Sequence, residues 1–136
     1  MYRSLSPGAI GIQDITLPET VKLAQATGFG GVGISIREAA DIVDVHDLDY
    51  VRALFAEADI RAGHWGLPVA WSDDAQWEED LVELPKLAAL ASDLDCMRTA
   101  TWVTPGSDVR DYQTNFQWHV ERLRPIAEVL AEHGVR

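Results

Sequence analysis

Ser6, His64, Trp65 and Trp102 are the side chains best placed to meet a ligand, because each falls near the end of a short apolar run that reads as a strand. An imidazole in such a place can hydrogen-bond a ligand hydroxyl or accept a proton near neutral pH. The indole of Trp102 can lie on the apolar face of a ring while its N–H finds a polar partner, and Trp65 and Trp71 flank the loop after the third run, where they could wall the same pocket. Ser6 precedes Pro7-Gly8, so its hydroxyl reads as a ligand contact or as turn chemistry. No second ligand accompanies His64, so no metal site is assigned to this chain, and no residue is assigned a catalytic role.

The other reactive side chains have structural readings. Cys96 is the one cysteine and cannot form an internal disulfide; set among apolar residues, it reads as a small buried hydrophobe. His119 lies within a helical pattern beside Glu121 and Arg122, which favours helix packing, and Trp77 and Trp118 recur at helical spacing. His46 is too loosely placed to count. A G-x-G-x-x-G opening a helix, a Walker A lysine, a G-x-S-x-G elbow and a C-x-x-C are all absent. Gly28-Phe29-Gly30-Gly31 precedes a strand, the wrong place to cradle phosphate.

What must position these residues is a repeated unit. An amphipathic helix ends in alanine and a small or polar residue, then an apolar run follows, at Ala26-Thr27-Gly28-Phe29, Ala58-Asp59-Ile60, Ala91-Ser92-Asp93-Leu94 and Ala131 to Val135. The spacing of roughly thirty to forty residues suits one βα unit each. Thr16-x-x-Glu19 is a capping box for the first helix, and Asp47 can cap the second. The third starts near Ser72-Asp73-Asp74, and the fourth carries the stripe Phe116, Leu123, Ala127 and Leu130. The strands read as Tyr2 to Ser6, Gly31 to Ile36, Ile60 to Trp65 and Cys96 to Trp102. Strands alternating with helices imply parallel pairing. Helix-to-strand links are short, whereas the strand exits Pro7-Gly8, Arg37 through His46, Gly66-Leu67-Pro68 and Thr104 through Ser107 are longer. One plain and one elaborated face is the pattern of a β/α barrel, which builds its site on the elaborated face. Four units in 136 residues extrapolate to about 270 for eight, close to the usual barrel size of about 250. The expected fold is therefore α/β: a single domain, residues 1–136, forming the first four βα units of a (β/α)8 TIM barrel, a half-barrel. Its two outer strands would be left as open edges, so the expectation is a longer chain or a homodimer.

A net charge of −11 opposes phosphate backbones and anionic lipid, so neither nucleic acid nor membrane is expected as a partner. No run approaches eighteen apolar residues and no signal-peptide h-region opens the chain; a cytoplasmic protein is the expectation.

In order along the chain, Ser6-Pro7-Gly8-Ala9-Ile10-Gly11, Gly28 to Val32, Gly63-His64-Trp65-Gly66-Leu67-Pro68, Arg98 to Ser107 and Phe116 to Ala127 resemble the sugar phosphate isomerase/epimerase family with the xylose-isomerase-like barrel. The resemblance implies a sugar or sugar phosphate substrate and a divalent metal (manganese, magnesium, cobalt or zinc) that polarises a carbonyl while a carboxylate moves the proton. In such proteins the metal ligands and paired glutamates come from strands five to eight, so they are not expected here. The chain would instead supply the substrate-side wall, with Ser6, His64, Trp65 and Trp102 as substrate contacts. A different class of reading is a noncatalytic α/β module, ligand-binding or self-associating. Strand order separates the two: 1-2-3-4 for the barrel, 2-1-3-4 for an open sheet.

Overall fold

Each α-helix in the computed structural model, which describes residues 1–136, begins where a side chain closes its first turn. Thr16 caps α1 (Leu17–Ala26) with a full capping box, and the Glu19 carboxylate accepts from the Thr16 N–H at 2.9 Å. Ser35 caps α2 (Ile36–Val45), Asp47 caps α3 (Leu48–Ala58), Asp73 caps α4 (Asp74–Asp93) and Asp111 caps α5 (Tyr112–Glu132).

Helix α2 corrects the reading of Arg37 through His46 as a loop. Ser35 accepts from the Glu38 N–H at 3.3 Å, and Ile36, Ala39 and Ala40 turn a buried face inward, so the second strand stops at Ile34. The missed signal was Ser-x-x-Glu, the same cap pattern that marks α1.

Four parallel strands pair in consecutive order: β1 (Ser4–Leu5), β2 (Gly31–Ile34), β3 (Arg61–Gly66) and β4 (Thr99–Ala100). Right-handed crossovers in an unbroken 1-2-3-4 order leave all helices on one face of the sheet. That is the arrangement of a half-barrel, and it separates this chain from a doubly wound sheet. The outer strands are shorter than patterning suggests, two residues each.

Between the sheet and the helices lies one cluster of 26 buried apolar residues, to which the strands contribute Leu5, Val32, Ile34, Ala62 and Trp65. After α5 the backbone returns beside β4. The Arg136 N–H donates to the Met97 carbonyl at 3.0 Å, and the Arg136 carbonyl accepts from the Thr99 N–H at 2.8 Å, the two-bond pattern of a parallel pair. No helix is long and apolar enough to cross a membrane.

Candidate functional site

The face of the sheet away from the helices is built by side chains from β3 and from β1 with its flanking residues, lying over glycines of β2 and β3. A Cβ on Gly31 would stand 2.4 Å from the Tyr2 ring, and one on Gly63 would stand 2.8 Å from the Ser4 hydroxyl. A Cβ on Gly33 would meet the His64 imidazole at 2.7 Å and the Ser6 hydroxyl at 3.3 Å. Contacts under 3.0 Å essentially never occur and one of 3.3 Å is tight, so glycine at these positions creates the room the larger side chains occupy.

Which of His64 and Trp65 faces this surface is decided by a break in register. Val32 pairs with Ala62, but Gly33 pairs with His64, so β3 carries one extra residue, Gly63, as a β-bulge. Ala62 is buried under the helices, and strict alternation from it would turn His64 toward the helices and Trp65 toward the open face. With the bulge, Gly63 and His64 both face the open side and Trp65 faces the core.

The structure thus brings two of the sequence-derived site residues together. The Ser6 hydroxyl and the His64 Nε2 lie 3.3 Å apart, half-buried, Ser6 just past β1 and His64 in the carboxyl-terminal half of β3. One serves as donor and the other as acceptor, according to the imidazole tautomer. A pair of this kind can donate to or accept from a ligand hydroxyl, and the imidazole can hold a proton in transit. Two shallow recesses lie at this end of the sheet, one of about 200 Å³ lined by Pro7, Gly33 and Ser35 among others and one of about 350 Å³ between the ends of β2 and β3, and neither is lined by Ser6 or His64.

Trp65 and Trp102 are placed elsewhere. Trp65 has no exposed surface, and its indole N–H donates to the Cys96 carbonyl at 3.0 Å, so it packs between sheet and helices. Trp102 lies past the end of β4 and is 94% exposed, free of the strand that patterning assigns it to. The reasons differ: the Gly63 bulge turns Trp65 to the core, whereas β4 is only Thr99–Ala100, so Trp102 after it follows a loop path. Trp71, read as a pocket wall, is buried, with its N–H on the Thr101 hydroxyl at 3.2 Å.

A group that sequence reading missed holds the loop after β3. Arg37 donates to the Pro68 carbonyl at 2.9 Å and to the buried Asp80 at 2.7 Å, and it pairs with Glu83. Asp80 in turn accepts from the Ala70 N–H at 2.8 Å and from Gln76 at 3.2 Å. Burial works to raise the Asp80 pKa, but the Ala70 N–H, Gln76 and Arg37 outweigh it and hold the carboxyl below its ordinary value. With Arg37 read as part of a loop, no helix face pointed it at Asp80.

Of the remaining reactive groups, Cys96 is fully buried, and its thiol is pushed up to about 12, first by burial and then by the charge of Asp95. It stays protonated at neutral pH and is no nucleophile. His119 packs against Trp71 and Trp118, with Nδ1 2.7 Å from the Asn115 carbonyl and Nε2 buried without a partner. No three His, Cys, Asp or Glu side chains converge to hold a metal ion, and Ser6 with His64 offers a single ordinary ligand. The donor set in this chain does not fit the divalent ion that the resemblance implies.

No family model matches the sequence, and no curated protein matches it. Solved structures do. The xylose isomerase domain protein from Alicyclobacillus acidocaldarius superposes with a TM-score of 0.82 at 22% identity, covering 98% of this chain and 47% of its own. The fold is half of a xylose-isomerase-like barrel. A zinc-bound IolI protein matches with a TM-score of 0.79 at 14% identity, over all of this chain and 50% of its own. D-psicose 3-epimerase from Clostridium cellulolyticum H10, solved with D-tagatose, matches with a TM-score of 0.70 at 16% identity, over 99% of this chain and 50% of its own. The half-barrel therefore spans about half the length of the solved proteins it matches.

Proposed function

We propose that this chain is the substrate-side half of a metal-dependent sugar or sugar phosphate isomerase or epimerase. The observation that carries the reading is the Ser6–His64 pair, hydrogen-bonded on the open face just past β1 and in the carboxyl-terminal half of β3. Carboxyl ends of strands are where β/α barrels place ligands. The pair is suited to a polyhydroxylated ligand, since each member both donates and accepts. A likeness to sugar epimerases among the fold neighbours supports that class of substrate. The metal and the residues that exchange the proton belong, in this reading, to the other half of the barrel. The part of this chain is to bind and orient sugar hydroxyls.

The test is ligand titration followed on the histidine ring resonances, with D-fructose and D-tagatose as probes. A site of two polar contacts on an open face is weak, so saturation is expected in the millimolar range, with His64 shifting and His46 and His133 still. Replacing Ser6 by Ala, which keeps the His64 ring as the probe, should weaken the response. If neither sugar moves His64 at hundreds of millimolar, the sugar-binding reading fails.

A further inference from the structure

Two arginines flank the Trp118 ring, and they are held differently. The Arg122 guanidinium lies 5.7 Å from the Trp118 centroid and 4.5 Å from that of Trp77, and its charge is taken up by Asp74. The Arg110 guanidinium lies closer, 4.3 Å from the Trp118 centroid. Its side chain enters no ion pair, in a chain with 22 acidic residues, and only its backbone N–H is engaged, by the Ser107 hydroxyl at 3.1 Å. A guanidinium seated on an indole keeps its fork of N–H donors oriented, ready for the paired oxygens of a carboxylate or phosphate.

That fork borders a recess of about 260 Å³ between the loop after β3 and the loop after β4. Such a volume is below the roughly 300–1,000 Å³ of a pocket for a drug-sized ligand, so it suits one group of a ligand rather than the whole. Ser72 lines it from the first loop, Thr104, Ser107 and Arg110 from the second, and Trp118 and His119 from α5, with the buried Trp71 behind them. No acidic side chain lines it. Asp73 and Asp111, close by in sequence, are occupied as helix caps, and Asp108 is exposed.

The polar groups in this wall are poised to donate. The Ser107 oxygen accepts from the N–H groups of Val109 at 3.3 Å and Arg110 at 3.1 Å, which leaves its own O–H free to donate elsewhere. In His119, Nδ1 meets a carbonyl, which can only accept, so Nδ1 carries the proton and Nε2 is left buried with no partner. Buried polar atoms are nearly always paired, so this nitrogen is a second unpaired group in the same wall. The net charge of −11 opposes any anion at long range, so an anion held here depends on these local donors.

We propose that the recess is an oxyanion subsite, in which Arg110, held on Trp118, takes the phosphate or carboxylate of a small ligand with the Ser107 hydroxyl as a second donor. It shares no lining residue with the Ser6–His64 pair, although the loops that build it leave the sheet at the same end. The proposal rests on the substrate-wall reading for the hydroxylated part of the ligand, and it narrows that reading from neutral sugars to ligands with a charged end.

The experiment titrates the protein with D-fructose 6-phosphate, D-gluconate and D-fructose at one ionic strength, following the indole N–H resonance of Trp118. At least one anion is expected to saturate in the millimolar range while D-fructose leaves Trp118 still, and the anion that binds tells phosphate from carboxylate. Arg110→Ala should lower that affinity at least about tenfold, and Arg110→Lys, which keeps the charge and loses the fork, at least about threefold. Arg98→Ala, which removes an exposed arginine before β4, should leave it unchanged. A Trp118 resonance that neither anion moves would overturn the proposal. So would an Arg110→Lys variant that binds as tightly as the parent, or an Arg98→Ala loss equal to that of Arg110→Ala, since charge alone would then account for binding. If D-fructose shifts His64 while neither anion moves Trp118, the oxyanion subsite fails and the sugar-binding reading stands; the opposite pattern fails the sugar-binding reading alone.

Discussion

Trp65 and His64 are neighbours in β3, yet they belong to two different materials. On the helix side, Leu5, Val32, Ile34, Ala62 and Trp65 are packed against apolar side chains. On the other side, hydroxyls, an imidazole and a phenol rest on glycines, with solvent above them. The first surface stabilises by removing apolar area from water, at about 25 cal/mol per Å². The second contributes little to stability and leaves polar groups with unused hydrogen-bonding capacity. The same backbone therefore separates stability from recognition by the direction in which each side chain leaves the strand.

The sharpest way to break that division is Trp65→Ala. A fully buried indole is lost, so urea denaturation should show a stability loss of about 3–5 kcal/mol. A loss below about 1 kcal/mol would mean that the helix-side packing does not hold the fold. Asp80→Asn comes next, at about 2 kcal/mol, because the Arg37 and Ala70 donors lose a charged acceptor. Its pH dependence has a definite sign. The folded carboxyl titrates below its ordinary 3.8, so its stabilisation is present above that value and is lost as pH falls through the lower folded value. The variant should therefore show a shallower acid loss of stability than the parent below about pH 4.

Gly33→Ala crosses the boundary between the two surfaces. The new methyl needs the space of the imidazole, so a loss of about 1–2 kcal/mol is expected, with displaced His64 ring resonances by NMR. An unchanged His64 resonance would show that the imidazole is not seated where the glycine allows. His64→Ala should have the smallest effect on stability, under about 1 kcal/mol in the same urea experiment. Its effect on D-fructose or D-tagatose affinity should be a loss of about tenfold or more, a reversal of the order for Trp65.

Much of this architecture was legible because local chemistry announced it. The caps at Thr16, Asp47 and Asp73, the helix-to-strand junctions and the four strand positions all place elements correctly. The half-barrel followed from counting those units. Four things were not legible, for separate physical reasons. Helix α2 was hidden because its acidic, alanine-rich sequence reads as an elaborated loop until Ser35 is recognised as a cap. The facing of His64 and Trp65 depends on a bulge, and no sequence signal beyond Gly63 itself marks one. Trp102 falls in an apolar run that reads as one strand, but the strand ends two residues earlier, at Ala100. Ser6 was read with two roles open, and the approach of His64 from 58 residues away is a long-range fact that no local pattern carries.

The bulge at Gly63 also has a consequence for how such a surface can vary. Because Gly63 and His64 both point to the open face, removing Gly63 would not turn the strand inside out. Trp65 would stay under the helices, and His64 would slide toward the floor of the sheet by one residue, about 3.3 Å. That would carry the imidazole from the level of Ser6 toward that of Ser4. A single-residue insertion or loss at this point acts as a vernier, setting the depth of a functional group while the packed side of the strand keeps its phase.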